Sequence, residues 1–288
     1  GSGLIPFHKA HPDKFLDVGI AEEHAVTFCA GLVQAGVKPI LAIYSTFLQR
    51  GFDQLVHDVC LQELPMVFAL DRAGLVGEDG PTHHGVLDYN YMLPIPNMTI
   101  LAPKDGVELD AMVKWSVSVD KIVSIRYPRG SIHAHDGKIQ TPIDTMAAEV
   151  LVNEPSAAQT YDILLIGAGS MAWPAYDAAI QLKNDGVSVA AINLRFIKPL
   201  DTETLAPFIE KSRHIIVIEE GNAIGGIFHY ILNQFSTTEK PLSHWHQLAI
   251  PDQFVTHGKL PNLRKSFNLS AEGIYQQVMS LSKEPVIQ

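Results

Sequence analysis

Apolar runs and amphipathic stretches alternate along this chain at the spacings of strands and helices. Residues 15–20 (F-L-D-V-G-I) read as the end of a short strand. Over residues 21–35, Ala25, Phe28, Cys29, Leu32 and Val33 recur at helical intervals. Residues 38–44 are again strand-like. Ser45 or Thr46 then offers an N-cap for a helix with Phe52, Leu55, Val56 and Val59 on one face. Residues 65–70, 98–102 and 122–127 read as strands, with a helix predicted over 107–117. A second series follows, with strands at 163–166, 187–193 and 214–218 and helices at 172–183 and 202–211. Apolar strands alternating with helices predict parallel sheets covered on both faces. With about 150 residues per domain as a prior, the 288 residues resolve into two consecutive doubly wound α/β domains, 1–140 and 141–288. The polar, glycine-punctuated stretch 131–142 marks the junction, and 153–160 reads as a surface connector early in the second unit. No internal repeat, heptad or low-complexity tract is visible.

Charge and cysteine content narrow the function classes. A formal net charge of −10 argues against a general nucleic-acid binder, which needs a basic surface, but leaves room for a local cationic pocket. Cys29 and Cys60 lie on apolar helical faces and read as buried thiols in a reducing compartment, not as a disulfide scaffold or a zinc site. No apolar run approaches the length of a membrane span and no secretory signal is visible, so a cytoplasmic or plastid protein is expected. Gly1-Ser2-Gly3 reads as a linker, not as the start of an intact protein.

The densest chemistry lies in residues 71–85 (D-R-A-G-L-V-G-E-D-G-P-T-H-H-G). Four glycines, a proline, three acids, an arginine and two adjacent histidines follow directly on a predicted strand. Glycines allow sharp turns and close approach to a ligand, and loops leaving the carboxyl ends of strands are where α/β proteins build sites. Residues 167–172 (G-A-G-S-M-A) fit the dinucleotide fingerprint. The strand about twenty residues on ends at Asn193-Leu194-Arg195, without the acid that would hold a ribose hydroxyl, so packing of the turn is the favoured reading.

Four stretches occur in series: I-A-E-E-H-A-V-T-F-C-A-G (20–31), A-I-Y-S-T-F-L-Q-R (42–50), the 71–85 loop and R-Y-P-R-G (126–130). Together they resemble the pyrimidine-binding domain of 1-deoxy-D-xylulose-5-phosphate synthases, thiamin-diphosphate enzymes of the transketolase superfamily. The second half resembles the C-terminal domain of those enzymes through R-F-I-K-P-L-D (195–201), E-E-G-N-A-I-G-G (219–226) and P-D-Q-F-V-T-H-G (251–258). That domain carries a turn like 167–172 with no nucleotide bound.

The resemblance assigns roles. Glu22 would hydrogen-bond the pyrimidine N1′ and favour the imino tautomer that removes the thiazolium C2 proton. Burial where a strand enters a helix would raise its pKa. On chemistry alone Glu22 could be a first-turn acid complementing the helix dipole, and Glu23 would serve as well. Phe47 would lie against the aminopyrimidine ring, with Tyr44 and Arg50 near the acceptor substrate. By themselves these aromatics would more often be core residues and Arg50 a surface cation. Arg129 would be the family's second phosphate-facing arginine, able with Arg50 to fork onto one phosphate; Arg126 and Arg72 are less specific candidates. Asp79 and His83 match the acid and the proton-shuttling histidine on the substrate side. His84 falls at a variable position.

The implied reaction joins pyruvate, with loss of CO2, to D-glyceraldehyde 3-phosphate, giving 1-deoxy-D-xylulose 5-phosphate. The motifs that hold Mg2+ and the cofactor's diphosphate are missing. The chain is therefore expected to be a fragment or one subunit of a split enzyme, inactive alone, without a metal site of its own. It would work with an N-terminal diphosphate-binding domain or subunit, in a homodimer. Two rivals are another thiamin enzyme, such as a split transketolase or a 2-oxo-acid dehydrogenase β subunit, and a non-catalytic nucleotide-binding module.

Overall fold

The computed structural model describes residues 3–130, 141–237 and 240–281. Two five-stranded sheets organise them. In the first, Ile40–Tyr44 (β1), Val67–Asp71 (β2), Met98–Leu101 (β3) and Ile122–Arg126 (β4) run parallel in the order β1-β2-β4-β3. The second contains Glu149–Glu154 (β5), Tyr161–Ala168 (β6), Val189–Leu194 (β7), Ser212–Asn222 (β9) and Trp245–Ile250 (β10), in the order β10-β9-β6-β7-β5. Its strands are parallel except β5, which pairs antiparallel with β7. The interior strands β4 and β7 are buried along their whole length, as expected of strands covered on both faces.

The remaining strand, Phe196–Lys198 (β8), ties the units together. It belongs by sequence to the second series but pairs antiparallel with β3, closing the edge of the first sheet. Phe196 meets Trp115 edge to face at 5.3 Å, so the exchange also buries aromatic surface. One apolar core runs from Ala25 to Trp245, joining Phe68 and Ile100 to Leu164 and Val217. A buried polar lock lies at the same seam. Lys104 Nζ is 2.9 Å from Glu149, Asn193 donates to Glu108, and the Arg195 guanidinium donates to the carbonyls of Thr141, Pro142 and Ala147. Part of the predicted junction, residues 131–140, lies outside the described residues.

Several local expectations change. Residues 15–19 form no strand: no neighbouring strand pairs with them, Gly19 turns at φ +72° and donates its N–H to Asp17, and Leu16 is 63% and Ile20 96% exposed. Ser45 does not cap the following helix. It is the first helical residue, and no side chain caps the turn that starts after Tyr44. From Ser45 to Cys60 the helix is irregular, passing through 3-10 and π turns, while Leu55 and Val59 stay fully buried. Residues 153–160 lie partly within β5, whose antiparallel edge position the alternation did not reveal. Both cysteines are free and buried, and burial pushes the Cys29 thiol up to about 11 and the Cys60 thiol up to about 12.

Three histidines gather at the β9–β10 edge. His214 Nδ1 lies 3.1 Å from His246 Nε2, and the His244 ring stands 5.5 Å away. Burial, with the charges of His246, Arg213 and His244, lowers the His214 pKa from 6.5 to about 4. Between those values the unfolded chain binds a proton that the folded one does not. Stability is therefore complete above pH 6.5 and falls as pH drops through the window towards 4. His214→Gln cannot charge and is expected to flatten the dependence of Tm on pH in that window; an unchanged slope in thermal melts would remove His214 as a cause.

Candidate active site

The helix Glu22–Gln34 begins with Glu22 itself, in its first turn and only 8% exposed; Glu23 points to solvent. No strand feeds this helix. Its Glu22 carboxylate is held instead by Arg50, whose Nη1 lies 3.3 Å from Glu22 Oε1. Gly51 allows the close approach: a Cβ there would lie 3.0 Å from Val26 and 3.4 Å from the Glu22 carbonyl oxygen.

From Arg50 a continuous line of contacts leads into the glycine-rich loop. The Arg50 guanidinium lies 5.4 Å from the Phe47 ring centre, and Phe47 stacks on Tyr44 at 5.1 Å. His83 packs edge-on against Phe47 at 5.3 Å and tilts against Tyr44 at 6.2 Å, while its Nδ1 is 2.9 Å from the Thr82 hydroxyl. The Arg72 guanidinium also covers the Tyr44 ring, at 3.8 Å. Arg72 is at φ 61°, a left-handed conformation costing about 1–3 kcal/mol for such a residue. Both its backbone N–H and its side chain donate to Asp71, at 2.7 Å each, and these bonds hold it there.

Asp79 receives Arg129 Nη1 at 2.6 Å, with Arg72 Nε 3.5 Å away. The Arg129 hydrogen bond holds its carboxyl below the usual carboxylate range, although burial opposes this. Beside Arg129 lies an open cavity of about 370 Å³, lined by Val76, Gly77, Glu78, Lys259 and Leu260.

The structure thus brings Glu22, Arg50, Phe47, Tyr44, His83, Asp79 and Arg129 into one connected region. It does not put Arg50 and Arg129 on a common partner: each guanidinium has its own carboxylate. Arg126 is corrected from a phosphate candidate to a structural residue. It is 3% exposed, forks onto Asp88 at 2.8 and 3.1 Å, and donates to the Tyr89 hydroxyl and the carbonyls of Gly85 and Glu220.

The second unit clamps the loop along its length. Gly74, at φ +78°, sits where a Cβ would come within 2.5 Å of Glu220 Oε2, and Glu220 in turn accepts from Arg264 and Ser170. Gly258 N–H donates to the Gly77 carbonyl, Asn222 N–H donates to that of Val86, and the His84 ring reaches the Thr256 carbonyl. The motifs alone give His84 no role and mark residues 251–258 only by family resemblance. The adjacency of His84 to His83 was the available signal. The 167–172 turn is packed as expected: a Cβ on Gly167 would lie 2.7 Å from the Met171 carbonyl oxygen and one on Gly169 3.0 Å from Ala102. Among the described residues, no group of His, Cys, Asp and Glu could hold a metal, and no helix is long and apolar enough to cross a membrane.

Residues 1–134 match the family described as "Transketolase, pyrimidine binding domain", and residues 156–274 match "Transketolase, C-terminal domain". The chain belongs to the transketolase family. It is 44% identical over 275 residues to 1-deoxy-D-xylulose-5-phosphate synthase 1 of Geobacter sulfurreducens, covering 95% of this chain and 42% of that protein. The synthase of Caldanaerobacter subterraneus subsp. tengcongensis is 43% identical over 284 residues, covering 99% and 44%. The chain spans less than half the length of these curated relatives. Among solved structures, a split-gene transketolase described as an inactive beta4 tetramer superposes with a TM-score of 0.81 at 25% identity, covering 95% of this chain and 86% of that one. Transketolase from Campylobacter jejuni shares the fold, with a TM-score of 0.76 at 19% identity over 97% of this chain and 43% of that one.

Proposed function

We propose that this member of the transketolase family supplies the pyrimidine and acceptor side of a 1-deoxy-D-xylulose-5-phosphate synthase. The observation that carries the reading is the contact line from buried Glu22 through Arg50, Phe47 and Tyr44 to His83. A buried carboxylate that accepts a hydrogen bond, linked through Arg50 to an aromatic face, suits an aminopyrimidine, so the residues fit the pyrimidine end of thiamin diphosphate. When bound, the cofactor supplies a carbanion at its thiazolium carbon and an electron sink for decarboxylating pyruvate.

Glu22 would accept a hydrogen bond from the protonated ring N1′, in which case its Arg50 contact is shared or released. Phe47 would lie against the ring. His83 and Asp79 would face the acceptor, His83 giving a proton to its carbonyl oxygen as the carbon–carbon bond forms. Arg129, half exposed beside the cavity, would take the phosphate of D-glyceraldehyde 3-phosphate, with Arg50 and Tyr44 near the same substrate. Leu16 and Ile20, shortly before Glu22 in the chain, stand exposed, apolar surface that a diphosphate-binding domain or subunit would cover. That partner would bring the diphosphate and Mg2+ ligands, and the assembly is expected to be a homodimer in the cytoplasm or plastid.

The test is product formation by the chain joined with such a domain. Pyruvate and glyceraldehyde 3-phosphate should give CO2 and 1-deoxy-D-xylulose 5-phosphate in equal amounts. Ketol transfer without CO2 release would favour a split transketolase instead. Within that assay, Arg129→Ala is expected to lower kcat/KM for glyceraldehyde 3-phosphate about tenfold to a hundredfold or so, since a charge-assisted contact is worth about 1.5–3 kcal/mol. Unphosphorylated glyceraldehyde should hardly change. Equal losses on both aldehydes would show that Arg129 only holds Asp79.

A further inference from the structure

Among the ties between the second unit and the loop that carries Asp79 and His83, one is an imidazole. His84 is 5% exposed, and both of its ring nitrogens are occupied. Val76 N–H lies 3.1 Å from Nδ1, and Nε2 lies 3.3 Å from the Thr256 carbonyl oxygen. A backbone N–H can only donate and a carbonyl can only accept. Nδ1 must therefore be bare and Nε2 must carry the hydrogen, which fixes the neutral ring in one tautomer. Backbone contacts flank this bridge. Gly258 N–H donates to the Gly77 carbonyl, and a Cβ on Gly80 would lie 3.3 Å from His257 Cβ.

We propose that His84 is a positioning residue whose neutral, Nε2-protonated ring latches the Asp79–His83 loop onto the second unit, so that the acceptor is recognised only while His84 is uncharged. The acceptor clause rests on the function proposed above; the latch itself does not. Protonating Nδ1 would set one N–H against another and break the Val76 bond. Burial lowers the His84 pKa from its ordinary 6.5 and His83 adds to this, while the Thr256 carbonyl, Glu220 and Asp79 favour the charged ring. Arg264 pairs with Glu220 at 2.7 Å, and His257 stands beside Gly80. With a lowered folded value, the latch is intact above about pH 6.5 and weakens as pH falls below it.

Glutamine is the discriminating replacement. Its carbonyl oxygen can accept from Val76 and its amide can donate to Thr256, without titrating. Imidazole ¹⁵N NMR on this chain should find Nδ1 bare and Nε2 protonated at neutral pH. Exchange of the Val76 amide, corrected for its intrinsic pH dependence, should speed up below pH 6.5 in the parent. It should be faster by about tenfold or more at all pH values in His84→Ala, and slow and pH-independent in His84→Gln. In the enzyme completed with its diphosphate-binding domain, His84→Ala should raise the acceptor KM several-fold and leave C2-proton exchange alone. His84→Gln should restore that KM and remove the acid limb of kcat/KM. An Nδ1-protonated ring, or Val76 exchange unmoved by His84→Ala, would overturn the latch whatever reaction the enzyme performs. NMR signatures as expected, with an acceptor KM unmoved by His84→Ala, would overturn its role in positioning.

Discussion

Glu22→Gln is expected to slow exchange of the thiazolium C2 proton about a hundredfold or more in the assembled enzyme, with turnover falling in parallel. Glutamine keeps the size of the side chain and can still accept one hydrogen bond. It cannot stabilise a protonated ring nitrogen as a carboxylate does, and it loses the charge that now holds Arg50 at 3.3 Å. A hundredfold loss corresponds to about 2.7 kcal/mol, within reach of one charged hydrogen bond in a buried setting. Glu23→Gln is the control, because Glu23 sits one residue on but faces solvent and should change exchange by less than about twofold. Thermal melts of both variants should match the parent. Near-normal exchange in Glu22→Gln would remove the assignment of the carboxylate.

The largest stability effect is expected at Arg126. Arg126→Met leaves Asp88 buried, at 0% exposure, without its forked guanidinium, and frees the Tyr89 hydroxyl and two carbonyls. Breaking a buried pair from one side costs about 3–5 kcal/mol, mainly through the uncompensated charge. At this chain length that is a fall in Tm on the order of 10 °C. Removing both charges with Arg126→Met and Asp88→Leu should recover much of the loss. The double variant would still lack the ties from Arg126 to Gly85 and Glu220 that draw the loop against the second unit. A loss below about 1 kcal/mol in the single variant, by urea or thermal unfolding, would contradict the reading of Arg126 as the hub of this seam.

How far the sequence was legible follows from where the signals are local. Helix periodicity placed residues 202–211 on the observed helix Thr202–Lys211, and the apolar runs marked β2, β3, β4 and β7 to within a few residues, because burial on both faces leaves its mark inside each segment. The strand expected at 15–20 failed for the opposite reason: an apolar, β-branched segment forms a strand only if a neighbour pairs with it, and none does. Strand β8 was invisible as a strand of the first sheet, since pairing Phe196 and Lys198 with β3 is decided across about a hundred residues of chain. In the site, motif order gathered Glu22, Phe47, Tyr44, His83 and Asp79 before any geometry. Charge pairing was not legible. Nothing local to Arg50 or Arg129 tells that one meets Glu22 and the other Asp79, or that Arg126, the first residue of the motif that carries Arg129, is sealed in the interior.

Under the proposed function, this chain would carry the pyrimidine side of a composite thiamin site that a diphosphate-binding domain completes. Calorimetric titration with thiamin diphosphate and Mg2+ tests it most directly, on the chain alone and on the chain supplied with that domain. Binding should be weak or absent in the first case. In the second it should be tight and Mg2+-dependent, and Phe47→Ala should weaken it. Tight, Mg2+-dependent binding by the isolated chain would contradict the claim.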